Sequence, residues 1–159
     1  QLITRGLGEV AVAIAFGVLP VNGAAWLFTG TFDVTLMWLS LSVGLWVAAI
    51  LQINEVPDIA ADEKAGKRNL AVRVGAKGVA VIYAVMQLLA FVILAGLVVT
   101  GKLSAALLLL PSALVLVAMR ATTLIYPPIH DRLVIGIKMT LAIQLLGCLW
   151  LIVFLLFLR

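Results

Sequence analysis

Charge is what this sequence has least of. Asp, Glu, Lys and Arg make up 11% of its 159 residues, against roughly 25% in an average soluble domain, which excludes an ordinary water-soluble globular protein. One cysteine, Cys148, excludes an internal disulfide, and its place inside an apolar run makes it a small packing residue. One histidine, His130, sits in the turn Tyr126-Pro127-Pro128-Ile129-His130-Asp131 and receives no catalytic role. No short segments of alternating polarity occur, which excludes a membrane β-barrel. The opening Gln1 to Gly8 has neither an initiator Met nor a signal-peptide cleavage pattern, and reads as an internal start. A net charge of +4 invites a nucleic-acid reading, but the basic residues lie in short connections and not along one solvated face, so no nucleic-acid partner is expected.

What is present is hydrocarbon. Hydrophobic residues reach 65% and the mean hydropathy is +1.26. Several apolar runs attain the roughly 20 residues a helix needs to cross about 30 Å of lipid core. The fold class expected is all-α, a polytopic transmembrane bundle of five spanning helices at about 7–29, 34–53, 78–99, 103–124 and 134–158. Gly17 and Pro20 predict a bend in the first.

The one long polar stretch, Asn54 to Lys77, separates the second and third spans and is where function is sought first. If it is cytoplasmic, that side holds Arg5, Lys64, Lys67, Arg68, Arg73, Lys77, Arg120, Arg132 and Lys138, leaving Lys102 and Arg159 opposite. This is the positive-inside pattern. Every acidic residue except Asp33 falls on the same side.

Within the stretch, Asn54, Asp58 and Asp62 are spaced by four and would stack on one face of a helix, roughly 5–6 Å apart. Two carboxylates at about 6 Å repel by about 3 kcal/mol at an effective dielectric near 20, a repulsion that a divalent cation reverses. Mg2+ suits them, because it takes one or two carboxylates and completes its shell with water and phosphate oxygens. Pro57 and Gly66 suggest a short helix over about 57–65. Lys67, Arg68 and Arg73 follow within reach of a diphosphate held there. The competing reading is a solvated loop of mixed charges. Glu55 and Glu63 are either supporting groups or solvated.

The run Asp58-x-x-x-Asp62-x-x-x-Gly66-Lys67-Arg68, extended by Leu70-Ala71-Val72-Arg73-Val74-Gly75, resembles the second aspartate-rich motif of the UbiA superfamily of intramembrane prenyltransferases. Upstream, Gly6-Leu7-Gly8-Glu9 with Phe16-Gly17 is similar to the members that prenylate dihydroxynaphthoate in menaquinone synthesis. The resemblance implies a helical bundle around a lipid-open cavity, with two aspartate motifs holding Mg2+ on a polyprenyl diphosphate and an aromatic acceptor capturing the allylic cation. It implies Asp58 and Asp62 as metal-binding and catalytic residues, with Lys67 and Arg68 as inferred stabilisers of the leaving diphosphate. Asn54, Arg73 and Glu9 are further candidates for substrate binding. The five helices correspond to the second half of a nine-helix fold, so residues 1–159 are expected to be a C-terminal half whose partner is the missing N-terminal half. The implied location is the plasma (inner) membrane, with the aspartates on the cytoplasmic side.

Other polar residues have open readings. Glu9, just inside the first span, either lines a cavity near the acceptor, or snorkels to the interface or pairs with Arg5. Asn22 and Gln144 are expected to bond between helices. A CDP-alcohol phosphotransferase would need an upstream Asp-Gly-x-x-Ala-Arg, which is absent. UbiA-type transfer to a non-quinone acceptor remains an alternative, as does half of an ion-coupled transporter, which expects acids near mid-bilayer.

Overall fold

The structure, a computed structural model, describes residues 8–157. Five of its helices are long and apolar enough to cross a membrane, the arrangement in which every backbone polar group finds a partner inside its own segment. They are α1 (Gly8–Thr29), α2 (Val34–Asn54), α4 (Leu70–Val99), α5 (Leu109–Ile125) and α6 (His130–Phe157), while α3 (Ile59–Lys64) is a short helix in the connection between α2 and α4. A 3-10 turn, Ala105–Leu108, leads into α5. The protein is an integral membrane helical bundle.

Local chemistry sets the ends. Asp33 caps α2, its Oδ1 accepting from the Thr35 and Leu36 backbone N–H groups at 2.7 and 3.2 Å. The expected bend in α1 takes the form of a π-helical turn at Ile14–Val18, where the Leu19 N–H reaches back to the Ile14 carbonyl. The wider turn comes just before Pro20, whose ring crowds the preceding turn and whose nitrogen donates nothing.

The third span begins at Leu70, earlier than the 78 expected from hydropathy. Arg73 and Lys77 lower the local hydropathy but belong to the same helix, which is broken at Gly75, φ 67° and ψ 172°.

Helix α2 is the hub: it packs against α1, α4 and α6, while α5 bridges α4 and α6. Ile53, Tyr83, Leu94, Leu107, Ile125, Ile143 and Phe154 are fully buried between these helices. In lipid the apolar effect does not distinguish core from surroundings, so close approach and interhelical hydrogen bonds hold the pairs together. A Cβ added at Gly147 would sit 2.6 Å from the Trp46 ring. The Tyr83 and Thr140 hydroxyls bond at 2.9 Å, Ser42 donates to the Ala90 carbonyl at 3.1 Å, and the Trp150 indole donates to the Leu107 carbonyl at 2.8 Å.

Helix α1 packs chiefly on α2 and leaves Phe16, Leu27 and Phe28 exposed on its far side. The α1–α2 crossing is made by glycines. A Cβ on Gly17 would fall inside the Gly44 backbone, and one on Gly44 would lie 2.7 Å from the Ala13 carbonyl oxygen. Asn22 bonds across the same pair, Nδ2 to Ser40 Oγ at 2.8 Å, as expected. Gln144 does not bond between helices: its amide donates to Cys148 Sγ, four residues along its own helix, at 3.2 Å.

Candidate functional site

The loop between α2 and α4 builds the site. Helix α2 ends at Asn54, and the hydrogen bonds from Asp58 N to the Glu55 carbonyl and from Ile59 N to the Val56 carbonyl turn the chain. Pro57 lies inside this turn, so α3 starts at Ile59, with Asp58 as its N-cap. The expected single face of Asn54, Asp58 and Asp62 is therefore corrected. Asn54 stays exposed on α2, beyond the turn, and only Asp58 and Asp62 share a helical step, through the Asp62 N–H to Asp58 carbonyl bond of 2.8 Å.

The end of α3 explains the residues that follow. Gly66 adopts φ 73°, a conformation open to glycine. It lets the Gly66 N–H reach the Glu63 carbonyl at 3.0 Å and the Lys67 N–H reach the Asp62 carbonyl at 2.9 Å, a Schellman cap. The cap folds residue 67 back over residue 62. Lys67 Nζ consequently meets Asp62 Oδ1 at 2.6 Å. That hydrogen bond, and the Asp62 charge behind it, push the Lys67 ammonium above its ordinary value.

Asp62 is held on its other side by Asn69. The Asn69 amide donates to Asp62 Oδ2 at 3.0 Å, while its own Oδ1 accepts the Val72 N–H at 2.9 Å and so caps α4. Asn69 is buried. The family resemblance puts Asn69 near the phosphate as an amide donor in place of the usual Thr or Ser; its position just before a helical run signals the cap, but nothing in the spacing points to its bond with Asp62. Arg73 Nε donates to the Arg68 carbonyl at 2.9 Å, tying the two arginines to one turn of backbone. Asp58, Lys67, Arg68 and Arg73 are all exposed at this mouth, and so are Glu63 and Lys64.

Below the mouth lies a buried acidic pair. Glu9 is 4% exposed, so its carboxyl does not reach out to the interface; Arg5, its other expected partner, lies outside the described residues. Glu55 is half-buried, and its carboxyl is pushed up to about 7 by burial first and by the Glu9 charge second. The Ala71 N–H offsets part of this rise.

His130 opens α6 and, with Val56, Pro57 and Ile59, lines a cavity of about 400 Å³ at the same end. A larger cleft, about 540 Å³, opens at the opposite end beside Asp33 and Lys102. It has no aspartate pair.

Among the described residues no three His, Cys, Asp or Glu side chains converge as a complete metal shell. Two carboxylates at an open mouth, flanked by cations, nevertheless form a donor set that fits a divalent ion completed by water and phosphate oxygens.

The UbiA prenyltransferase family profile matches residues 2–133. A 1,4-dihydroxy-2-naphthoate octaprenyltransferase of Haemophilus influenzae is 44% identical over 71 residues, covering 45% of this chain and 23% of that protein. The Escherichia coli protein of the same name is 39% identical over 70 residues, 44% of this chain and 23% of its own length. The UbiA prenyltransferase domain-containing protein 1 of Dictyostelium discoideum is 34% identical over 89 residues, 56% of this chain and 27% of its own. The matched stretch of the chain thus spans about a quarter of the length of these relatives. No solved structure matches it. A family match over most of the chain, on a five-span bundle with its aspartates at one mouth, places the protein in the UbiA prenyltransferase family.

Proposed function

We propose that the chain is the C-terminal half of a membrane enzyme that transfers a polyprenyl group from its diphosphate to an aromatic quinone precursor, 1,4-dihydroxy-2-naphthoate. The observation that carries this reading is Asp62, gripped at both oxygens by Lys67 and Asn69 and one helical turn from Asp58. The names of the Haemophilus and Escherichia relatives supply the acceptor.

Asp58 and Asp62 would hold Mg2+, which when bound neutralises charge on the diphosphate. Lys67 and Arg68 offer further positive charge to the departing diphosphate, Lys67 as a point charge and Arg68 as a planar fork. Arg73 and Asn54 stand at the same rim as contacts for the phosphates, and Glu9 lies below on the acceptor side. Leaving-group departure creates an allylic cation, and the apolar spans keep bulk water from quenching it. The basic asymmetry of the loops supports a plasma (inner) membrane protein with this mouth in the cytoplasm.

The test is prenyl transfer by the full-length protein that carries this sequence. Asp58→Asn and Asp62→Asn keep side-chain volume and remove charge, so turnover falls at least about a hundredfold while helical content is unchanged. Residues 1–159 alone are inactive, and co-expression with the N-terminal half restores Mg2+-dependent transfer. Near-wild-type turnover by both asparagine variants excludes the carboxylates as ligands, and robust activity of the isolated 159 residues refutes the half-enzyme reading.

A further inference from the structure

Three polar side chains on the mouth side of the α1–α2 crossing carry buried atoms with no hydrogen-bond partner among the described residues. Gln52 is fully buried, and neither atom of its carboxamide has a hydrogen-bond partner among the described residues. Glu9 Oε2 and Glu55 Oε2 are likewise buried and unpartnered. Each such atom costs free energy comparable to a lost hydrogen bond, and in a membrane interior the alternative of water is far away.

Their placement follows from the helix crossing. Glu9, Ala13 and Gly17 recur at four-residue intervals on α1, as do Gly44, Ala48 and Gln52 on α2. Gly17 and Ala13 press on Gly44. The two helices are antiparallel, so one step towards the mouth sets Glu9 against the face that carries Ala48 and Gln52. Glu55 lies three residues beyond Gln52 on the same face, its N–H still bonded helically to the Leu51 carbonyl at 3.1 Å, and it feels the Glu9 charge directly.

We propose that Glu9, Gln52 and Glu55 form a hydrogen-bonding seat for the hydroxyl groups of the aromatic acceptor, an assignment that rests on the prenyl-transfer reading. A phenolic hydroxyl donates to a carboxylate, and that bond raises electron density on the ring that must attack an electrophile. The Gln52 carboxamide both donates and accepts, so it serves a second hydroxyl. The acceptor's own carboxylate is repelled by Glu9 and Glu55 and drawn towards Lys67 and Arg68. Seat and rim together orient the ring beneath the diphosphate. A site that hydrogen-bonds a substrate hydroxyl rejects an analogue lacking it, because its buried polar groups are then left unpaired.

The experiment uses the full-length protein in lipid nanodiscs with Mg2+, a polyprenyl diphosphate, and either 1,4-dihydroxy-2-naphthoate or its 4-methyl ether. Gln52→Leu and Glu9→Gln are compared with wild type. Gln52→Leu raises KM for the dihydroxy acceptor about tenfold, the equivalent of one hydrogen bond, and abolishes the preference over the methyl ether. KM for the prenyl diphosphate stays unchanged, and Tm holds or rises because two orphaned atoms are gone. Glu9→Gln reduces the same preference at unchanged Tm. Unaltered acceptor KM and preference in both variants overturn the seat, as does a lowered Tm with both KM values moving together, the signature of a packing role. Wild-type protein that prenylates no dihydroxy aromatic overturns the transfer reading itself, and with it the seat.

Discussion

Asn69 does two jobs with one side chain, and substitution separates them. Its Oδ1 caps α4 through the Val72 N–H at 2.9 Å, and its Nδ2 holds Asp62 Oδ2 at 3.0 Å. Removing a cap costs about 1 kcal/mol of stability. Losing a hydrogen bond to a charged group costs about 1.5–3 kcal/mol. Asn69→Ser retains a capping oxygen but has no second head to reach the carboxylate. Asn69→Ala loses both contacts. Thermal unfolding in detergent should therefore rank wild type highest, Asn69→Ser lower by the lost carboxylate bond, and Asn69→Ala lowest by about a further 1 kcal/mol for the lost cap. Function should rank differently: both variants leave Asp62 held only by Lys67, and loss of a partner that orients a metal-binding carboxylate lowers metal affinity or activity about 10–100-fold. The assay is prenyl transfer by the full-length enzyme across a Mg2+ titration. Asn69→Ser with a wild-type Mg2+ midpoint and wild-type turnover would show that Asn69 is a helix cap and nothing more.

Three further expectations are independent of that one. Gly17→Ala forces a methyl into the Gly44 backbone and should destabilise the α1–α2 pair by about 1–3 kcal/mol, whereas Gly23→Ala, with nothing within 4 Å, should not; equal unfolding curves for the two refute the crossing. The folded state raises the Glu55 carboxyl from 4.5 to about 7, so between those values the folded chain keeps a proton that the unfolded chain has lost. The stability this confers is complete below pH 4.5 and is lost as pH rises through about 7; in Mg2+-free buffer, Glu55→Gln should flatten that slope, and an unchanged slope refutes it. A cysteine at position 64 should react with an impermeant reagent only from the cytoplasmic side and one at 102 only from the other, and the reverse pattern inverts the orientation.

The five spans were legible because hydrocarbon imposes one demand, an unbroken apolar run of sufficient length, and nothing else among the described residues meets it. The start of α4 was not, since Arg73 and Lys77 look like loop while the backbone is already helical. Four-residue spacing found Asp58 and Asp62 but overreached to Asn54, because periodicity does not register that Pro57 and its turn interrupt the helix. The Asp62–Lys67 pair has a five-residue spacing that no regular helix would favour; it comes from the left-handed Gly66. For Glu9, burial speaks against snorkelling to the interface, while pairing with Arg5 falls outside the described residues. Gln52 carried a signal that went unused: an amide one step along the face of Gly44 and Ala48, inside an otherwise apolar span.

If Asp62 binds Mg2+ as proposed, the Schellman cap also makes the loop an exchanger of ions. Before any cation arrives, the Lys67 ammonium occupies Asp62 Oδ1, so a metal seeking that oxygen must displace it. The displaced ammonium cannot leave, because its backbone N–H remains tethered to the Asp62 carbonyl at 2.9 Å. It swings within the length of its own side chain, to where the anion that accompanies the metal needs a counter-charge. Cation alone meets a competitor, and anion alone meets a lysine already engaged. Both together release one another's obstacle, so each should bind more tightly in the presence of the other, and titration calorimetry of Mg2+ with and without inorganic diphosphate would read that synergy directly.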